Sequence, residues 1–172
     1  MNLRILLALG LAIAVPHAVL AQNDAKTAAM LKAENLGGLK LDLSEKAVLE
    51  KLGKPEKQGK VVLQGADDMY VQAWSYPSKG LKLTMTSSKK TGPKTVASFT
   101  AVAPCKSATA KGIAMGSPES AVRKAYGAFE NKEESKQLGK ADSFVAGSIY
   151  GGIIFDFSGG KVTSIFFGAA AE

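Results

Sequence analysis

Ile113-Ala114-Met115-Gly116-Ser117-Pro118-Glu119-Ser120-Ala121-Val122-Arg123-Lys124-Ala125-Tyr126-Gly127 aligns without a gap on Leu39-Lys40-Leu41-Asp42-Leu43-Ser44-Glu45-Lys46-Ala47-Val48-Leu49-Glu50-Lys51-Leu52-Gly53, at an offset of 74 residues. Both stretches read as a short apolar lead-in followed by a helix. Ser117 suits an N-cap, Pro118 the first helical position, and Glu119 the positive helix end. Ala121, Val122, Ala125 and Tyr126 recur at helical spacing and mark a buried face, and Gly127 supplies a stop. Ser44, Ala47, Val48, Leu52 and Gly53 repeat those parts, with Pro55 blocking continuation.

The likeness continues beyond the helices. Residues 80–85 align on 152–157 and residues 96–98 on 162–164, so the offset shrinks to 72 and then 66. A motif order that is kept while lengths change at turns is the mark of a duplicated unit. The expected strands are 69–76, 80–86 and 95–102, then 144–150, 152–157 and 162–167. Ser158-Gly159-Gly160 is a hairpin signal. Residues 60–64 add a possible strand, and the charged stretch 130–142 reads as a mobile loop. The expected fold is therefore α+β: two tandem copies of a helix plus an antiparallel sheet of three to four strands, helices on one sheet face. The boundaries are 1–21 signal peptide, 22–35 linker or short helix, 36–103 first repeat and 104–172 second repeat. Each half is near the size at which a lone core is marginal, so a shared core or continuous sheet would help both.

The start predicts export. Arg4 precedes an apolar run from Ile5 to Val15, Pro16 breaks it, and Val19-Leu20-Ala21 offers small residues for cleavage. The run is shorter than the ~20 residues needed to span a bilayer. Gln22 rather than Cys follows, which argues against a lipid anchor. The expected location is periplasmic or secreted, with no membrane span in the mature chain.

Composition then narrows the chemistry. The chain carries +7, and loss of residues 1–21 removes one Arg and no acid, leaving +6. The only histidine, His17, lies in the signal. Ser-His-Asp and Cys-His catalysis and His-based zinc sites are thereby excluded within the mature chain. The only cysteine, Cys105, permits no intrachain disulfide and reads either as a buried thiol, the favoured reading, or as a point of intermolecular pairing. No phosphate loop, dinucleotide fingerprint or metal-ligand spacing appears, so no cofactor and no metal site is expected. Asp67-Asp68 reads as turn chemistry and Glu133-Glu134 as solvated loop, since a glycosidase pair must face one cleft. The expected protein is not an enzyme.

The segments Leu43–Pro55 and Gly112–Gly127 resemble the cell-envelope superfamily that includes the β-lactamase inhibitory protein and the small lipoprotein of the outer-membrane β-barrel assembly machinery. The shared pattern is Gly, two or three residues, Ser or Thr, three residues, Val, three residues, Leu or Tyr, Gly. The tandem arrangement over residues 36–168 is more similar to the inhibitory protein, whose concave sheet face grips another protein. The resemblance implies the two-unit fold and a habit of protein binding. It maps no partner-contacting residue onto this chain, which also lacks the inhibitor's disulfides and the lipoprotein's modified cysteine.

Two candidate surfaces follow. Tyr70, Gln72, Trp74 and Tyr76 share one side of a strand by period two. Exposed, they would anchor another envelope or secreted protein; buried, they would be core. The expected function is an exported protein-binding module of inhibitor, immunity or envelope-assembly accessory type, capturing its partner on the sheet face. The alternative is an anionic envelope lipid or glycan held by Lys54, Lys57, Lys60, Lys89, Lys90 and Lys94. Nucleic acid is not expected outside the cytoplasm.

Overall fold

The computed structural model describes residues 17–65, 68–138 and 142–170, with side chains from Ala25 onward except Gln137. In chain order the elements are helix α1 (His17–Ala33), helix α2 (Glu45–Leu52), strands β1 (Lys57–Gln58), β2 (Val62–Leu63), β3 (Tyr70–Tyr76), β4 (Leu81–Ser87) and β5 (Thr95–Val102), helices α3 (Glu119–Tyr126) and α4 (Lys132–Gln137), and strands β6 (Ser143–Ser148), β7 (Gly151–Ser158) and β8 (Lys161–Gly168). All eight strands belong to one antiparallel sheet, ordered β1-β3-β4-β5-β8-β7-β6, with β2 also pairing β3.

This corrects the expected pair of tandem helix-plus-sheet units. β5 pairs β8 directly, with Phe99 opposite Phe167 and Ala101 opposite Ile165. The rings of Phe99 and Phe167 stack at 4.6 Å between centroids. The seam between the two expected units is therefore core, not boundary. The physical reason is the edge problem: a meander ending at β5 or β8 would leave a buried, apolar strand with unpaired backbone groups. Joining them removes two edges and makes one core.

Register explains the layers. One row across the sheet runs Gln58, Trp74, Leu83, Phe99, Phe167, Ile153 and Ala146. From Trp74 onward every member of this row is buried, in one cluster with Val48 of α2 and Val122 and Tyr126 of α3. The adjacent row runs Lys57, Ser75, Lys82, Thr100, Phe166, Ile154 and Val145. Successive strand residues point to opposite faces, so this second row lies on the face away from α2 and α3.

The helices are placed by their N-termini. Glu45 N–H donates to Lys94 O at 2.8 Å and Glu119 N–H to Gly160 O at 2.9 Å, tying each helix to the residue just before β5 or β8. Ser44 caps α2 as expected, accepting from Ala47 N at 3.3 Å. The expected cap on α3 differs. Pro118 occupies the N-cap position without a side-chain bond, and Ser117 Oγ instead accepts from Ala114 N at 3.0 Å, closing the preceding turn.

The stretch 130–142 is not simply a loop. It holds α4, whose Asn131 side chain caps the helix by accepting from Glu134 N at 3.1 Å. Glu133 and Glu134 therefore begin a helix, where acids are favourable. Residues 22–33 belong to α1, which crosses the expected cleavage position. Residues 1–16 of the expected signal lie outside the described residues. No described helix is long and apolar enough to cross a membrane.

Candidate functional site

The aromatic row of β3 faces the helices. Trp74 and Tyr76 are each only 1% exposed. Their expected role as exposed anchors is corrected, because Trp74 sits opposite Leu83 and Tyr76 opposite Leu81 on the apolar face. Each polar atom finds a partner, as burial demands. Tyr76 OH donates to Gly53 O at 3.1 Å, holding the end of α2, and burial raises its pKa. Trp74 Nε1 donates to Gln72 Oε1 at 3.0 Å, and Gln72 Nε2 donates to Gly59 O at 2.9 Å. Tyr70 and Gln72 are half-buried. Gln72 thus links the core tryptophan to Gly59 just beyond β1.

The lysines do not form one patch. Lys57 lies opposite Ser75, whereas Lys89 and Lys90 follow Ser87, which lies opposite Tyr70. Five residues of extended strand separate those levels, roughly 17 Å, beyond the ~8 Å screening length at physiological salt. Lys94 leaves the set altogether. Its ammonium is 3.7 Å from Glu45, and its side chain is 15% exposed. Lys54, Lys57, Lys60, Lys89 and Lys90 remain exposed.

The sheet face away from α2 and α3 offers a different surface. Thr84, Thr86, Ser98, Thr100, Ser164 and Phe166 are half-buried, and Val102 is 42% exposed. β-Branched and hydroxylated side chains suit a flat strand surface that meets water. Phe166 lies between Thr100 on β5 and Ile154 on β7. The sequence placed partner capture on the face opposite the helices, but it assigned Tyr70, Gln72, Trp74 and Tyr76 to that face, where the structure has Thr84, Thr100 and Phe166 instead.

A cleft of about 960 Å³ opens beside α1, α4 and the β6–β7 turn, with Lys26, Phe129, Glu134 and Tyr150 among its lining residues. Its carboxylates and Lys26 are engaged. Glu130 pairs with Arg123 at 2.6 Å and Glu133 with Lys136 at 3.2 Å. Glu134 accepts from Ile149 N at 2.6 Å. The Lys26 and Lys111 ammonium groups lie 5.0 and 4.8 Å from the Phe129 ring centroid. These contacts fasten α1, α3 and the hairpin.

A buried polar cluster among the described residues was not foreseen. Glu34, 3% exposed, follows α1. It accepts from Tyr126 OH at 3.0 Å and from Ala110 N at 3.1 Å. Tyr126 OH also lies 2.8 Å from Thr109 Oγ1, which accepts from Ile113 N at 3.1 Å. Burial raises the Tyr126 pKa well above the ordinary tyrosine value, the Glu34 charge adds to the rise, and the Thr109 bond opposes it. The signal available in the sequence was Tyr126 itself: a tyrosine on a buried helix face requires a partner for its hydroxyl. Cys105 is buried, as expected. No group of three or more His, Cys, Asp or Glu arranged to hold a metal occurs among the described residues. No family model, curated protein or solved structure matches the chain.

Proposed function

We propose that the protein is an exported, non-catalytic binding module that engages another envelope or secreted protein through the sheet face opposite α2 and α3. The observation that supports this reading is the placement of α2 and α3 on one face, which leaves the β3–β5–β8 part of the other face half-buried, while Val145 and Ile154 are buried at its β6–β7 end. The apolar counterpart of α2 and α3 is the buried row from Trp74 to Ala146, while the opposite face carries Thr84, Ser98, Thr100 and Phe166 without a helix pair over it. The resemblance of the helix motifs to the cell-envelope superfamily points the same way. Phe166 replaces Trp74 as the anchor, since it is the large aromatic of that face.

The test is a photo-crosslinking side chain at Thr100, compared with the same group at exposed Lys124 on α3. Adducts with a single protein from position 100 and not 124 are expected. Phe166→Ala should weaken that capture by more than ~1 kcal/mol if the ring is a hot spot. Equal labelling from both positions, or none from position 100, sinks the reading. The exposed lysines favour a second reading, an anionic envelope lipid or glycan. It predicts retention that fails as salt rises and ignores Phe166→Ala.

A further inference from the structure

The two outer edges of the sheet are built differently. The β6 edge is closed: Asn131 N donates to Val145 O at 2.8 Å, and Ser135 Oγ accepts from Val145 N at 3.0 Å. The other edge is formed by β1 and β2, which lie outside β3. Gly59 N donates inward to Ala73 O at 2.8 Å and Gln64 N inward to Met69 O at 2.8 Å. Alternation along an antiparallel strand then turns the backbone of Gln58 and Leu63 outward. Val62 and Leu63 are 58% and 55% exposed. Val62 lies opposite Val71 and Leu63 opposite Tyr70, so they flank the edge on its two faces.

We propose that this edge receives an extended, acidic segment of a partner protein as an added strand. Strand addition supplies affinity through backbone bonds and selectivity through alternate side chains. The charge of the edge selects the occupant. Lys54, Lys57 and Lys60 are exposed there and belong to none of the described ion pairs. The nearest acids along the chain are Glu56, whose carboxylate accepts from Ser78 N at 3.1 Å, and the pair Asp67-Asp68, which follows β2 in sequence. A second copy of this chain would bring lysines against lysines, and like charges across strands are unfavourable. A segment with carboxylates toward Lys57–Lys60 and apolar side chains toward Val62–Leu63 meets both features. This surface is separate from the Phe166 face, so either proposal can fail alone.

The probe is a fluorescent peptide of alternating Glu and Val, about ten residues long and so longer than the edge, titrated against the full chain by anisotropy. Binding is expected. It should disappear when the peptide's alternate backbone nitrogens are methylated, and fall at least tenfold or so with Leu63→Pro, which removes an outward N–H at an edge position that tolerates proline. Leu63→Ile should retain it. The double change Lys57→Glu and Lys60→Glu should transfer preference to the matching Lys-Val peptide, an outcome that misfolding does not mimic. No binding of the acidic peptide, equal binding of the acidic and basic peptides, indifference to N-methylation, or concentration-dependent dimerisation lost in Leu63→Pro would each overturn the proposal.

Discussion

Helices α2 and α3 have equal length and face the same core, but they are held by different physics. α2 buries Val48, packs Leu49 and Leu52 at its margin, and carries a serine cap. α3 buries Val122 and Tyr126 and lacks a side-chain cap. Its fixing point is the hydroxyl of Tyr126, joined to Glu34 after α1 and to Thr109 in the connection after β5. An apolar helix can slide by small steps at modest cost. A buried hydroxyl with named partners has one position, and leaving a partner unmet costs its desolvation. The contrast places a buried carboxylate–hydroxyl cluster at α3, where three distant segments meet, whereas α2 relies on area, its serine cap and the single bond from Tyr76 OH to Gly53 O.

Removal of the Glu34 carboxylate should have the largest effect. Glu34→Ala deprives Tyr126 OH of one acceptor, leaves Ala110 N without its carboxylate, and opens a small void. A loss of about 2–4 kcal/mol is expected by denaturant titration. Glu34→Gln keeps one carbonyl oxygen for two donors and should fall between Glu34→Ala and wild type. Leu52→Ala in α2, at a half-buried position, should cost about 1–2 kcal/mol. Equal losses for Glu34→Ala and Leu52→Ala would dissolve the distinction between the helices.

This cluster also shows where sequence reasoning stopped. Val48, Val122 and Tyr126 were legible because each recurs at helical spacing with its neighbours, and Gly159-Gly160 marked the β7–β8 turn. Glu34 carried no such signal: a lone acid beside Asn35 reads as solvated. Its burial depends on Tyr126, 92 residues away. The aromatic row failed for a related reason. Period two groups Tyr70, Gln72, Trp74 and Tyr76 but does not say which face meets the helices. Phe99 opposite Phe167 decided that, and the pairing of β5 with β8 is a contact between strands distant in sequence. The same contact turned two expected units into one sheet.

Alkaline pH separates the two tyrosines next. Both have raised pKa values, Tyr76 through burial and Tyr126 through burial and the Glu34 charge. The unfolded chain ionises its tyrosines near pH ~10. Below that pH both states hold the proton and the contribution is fully present. Above it the unfolded state loses protons that the folded state retains, so stability falls as pH rises. Tyr126→Phe should be less stable than wild type at neutral pH, by about 1–2 kcal/mol, yet decline less between pH ~9 and ~11. Tyr76→Phe should flatten the profile less, because burial alone raises Tyr76 while the Glu34 charge acts on Tyr126 as well. A wild-type profile that is flat across that interval would remove Tyr126 as a special anchor.

The smallest expected difference concerns the helix starts. Ser44 and Ser117 both read as helix caps, but the offset of 74 sets Ser44 on Pro118, and only Ser44 satisfies a helical N–H. Ser44→Ala should cost about 0.5–1 kcal/mol, the low end for caps because the bond to Ala47 N is long. Amide exchange at Ala47 should quicken with it. Ser117→Ala should instead quicken exchange at Ala114, whose N–H it serves. The first turn of α3 should keep its protection, because Ala121 N donates to Pro118 O at 2.9 Å without help from Ser117. If Ser117→Ala exposed Ala121 as much as Ala114, the turn and the helix would be one cooperative unit. α3 would then depend on its N-terminus after all, as α2 does, and the hydroxyl of Tyr126 would not be its principal fixing point.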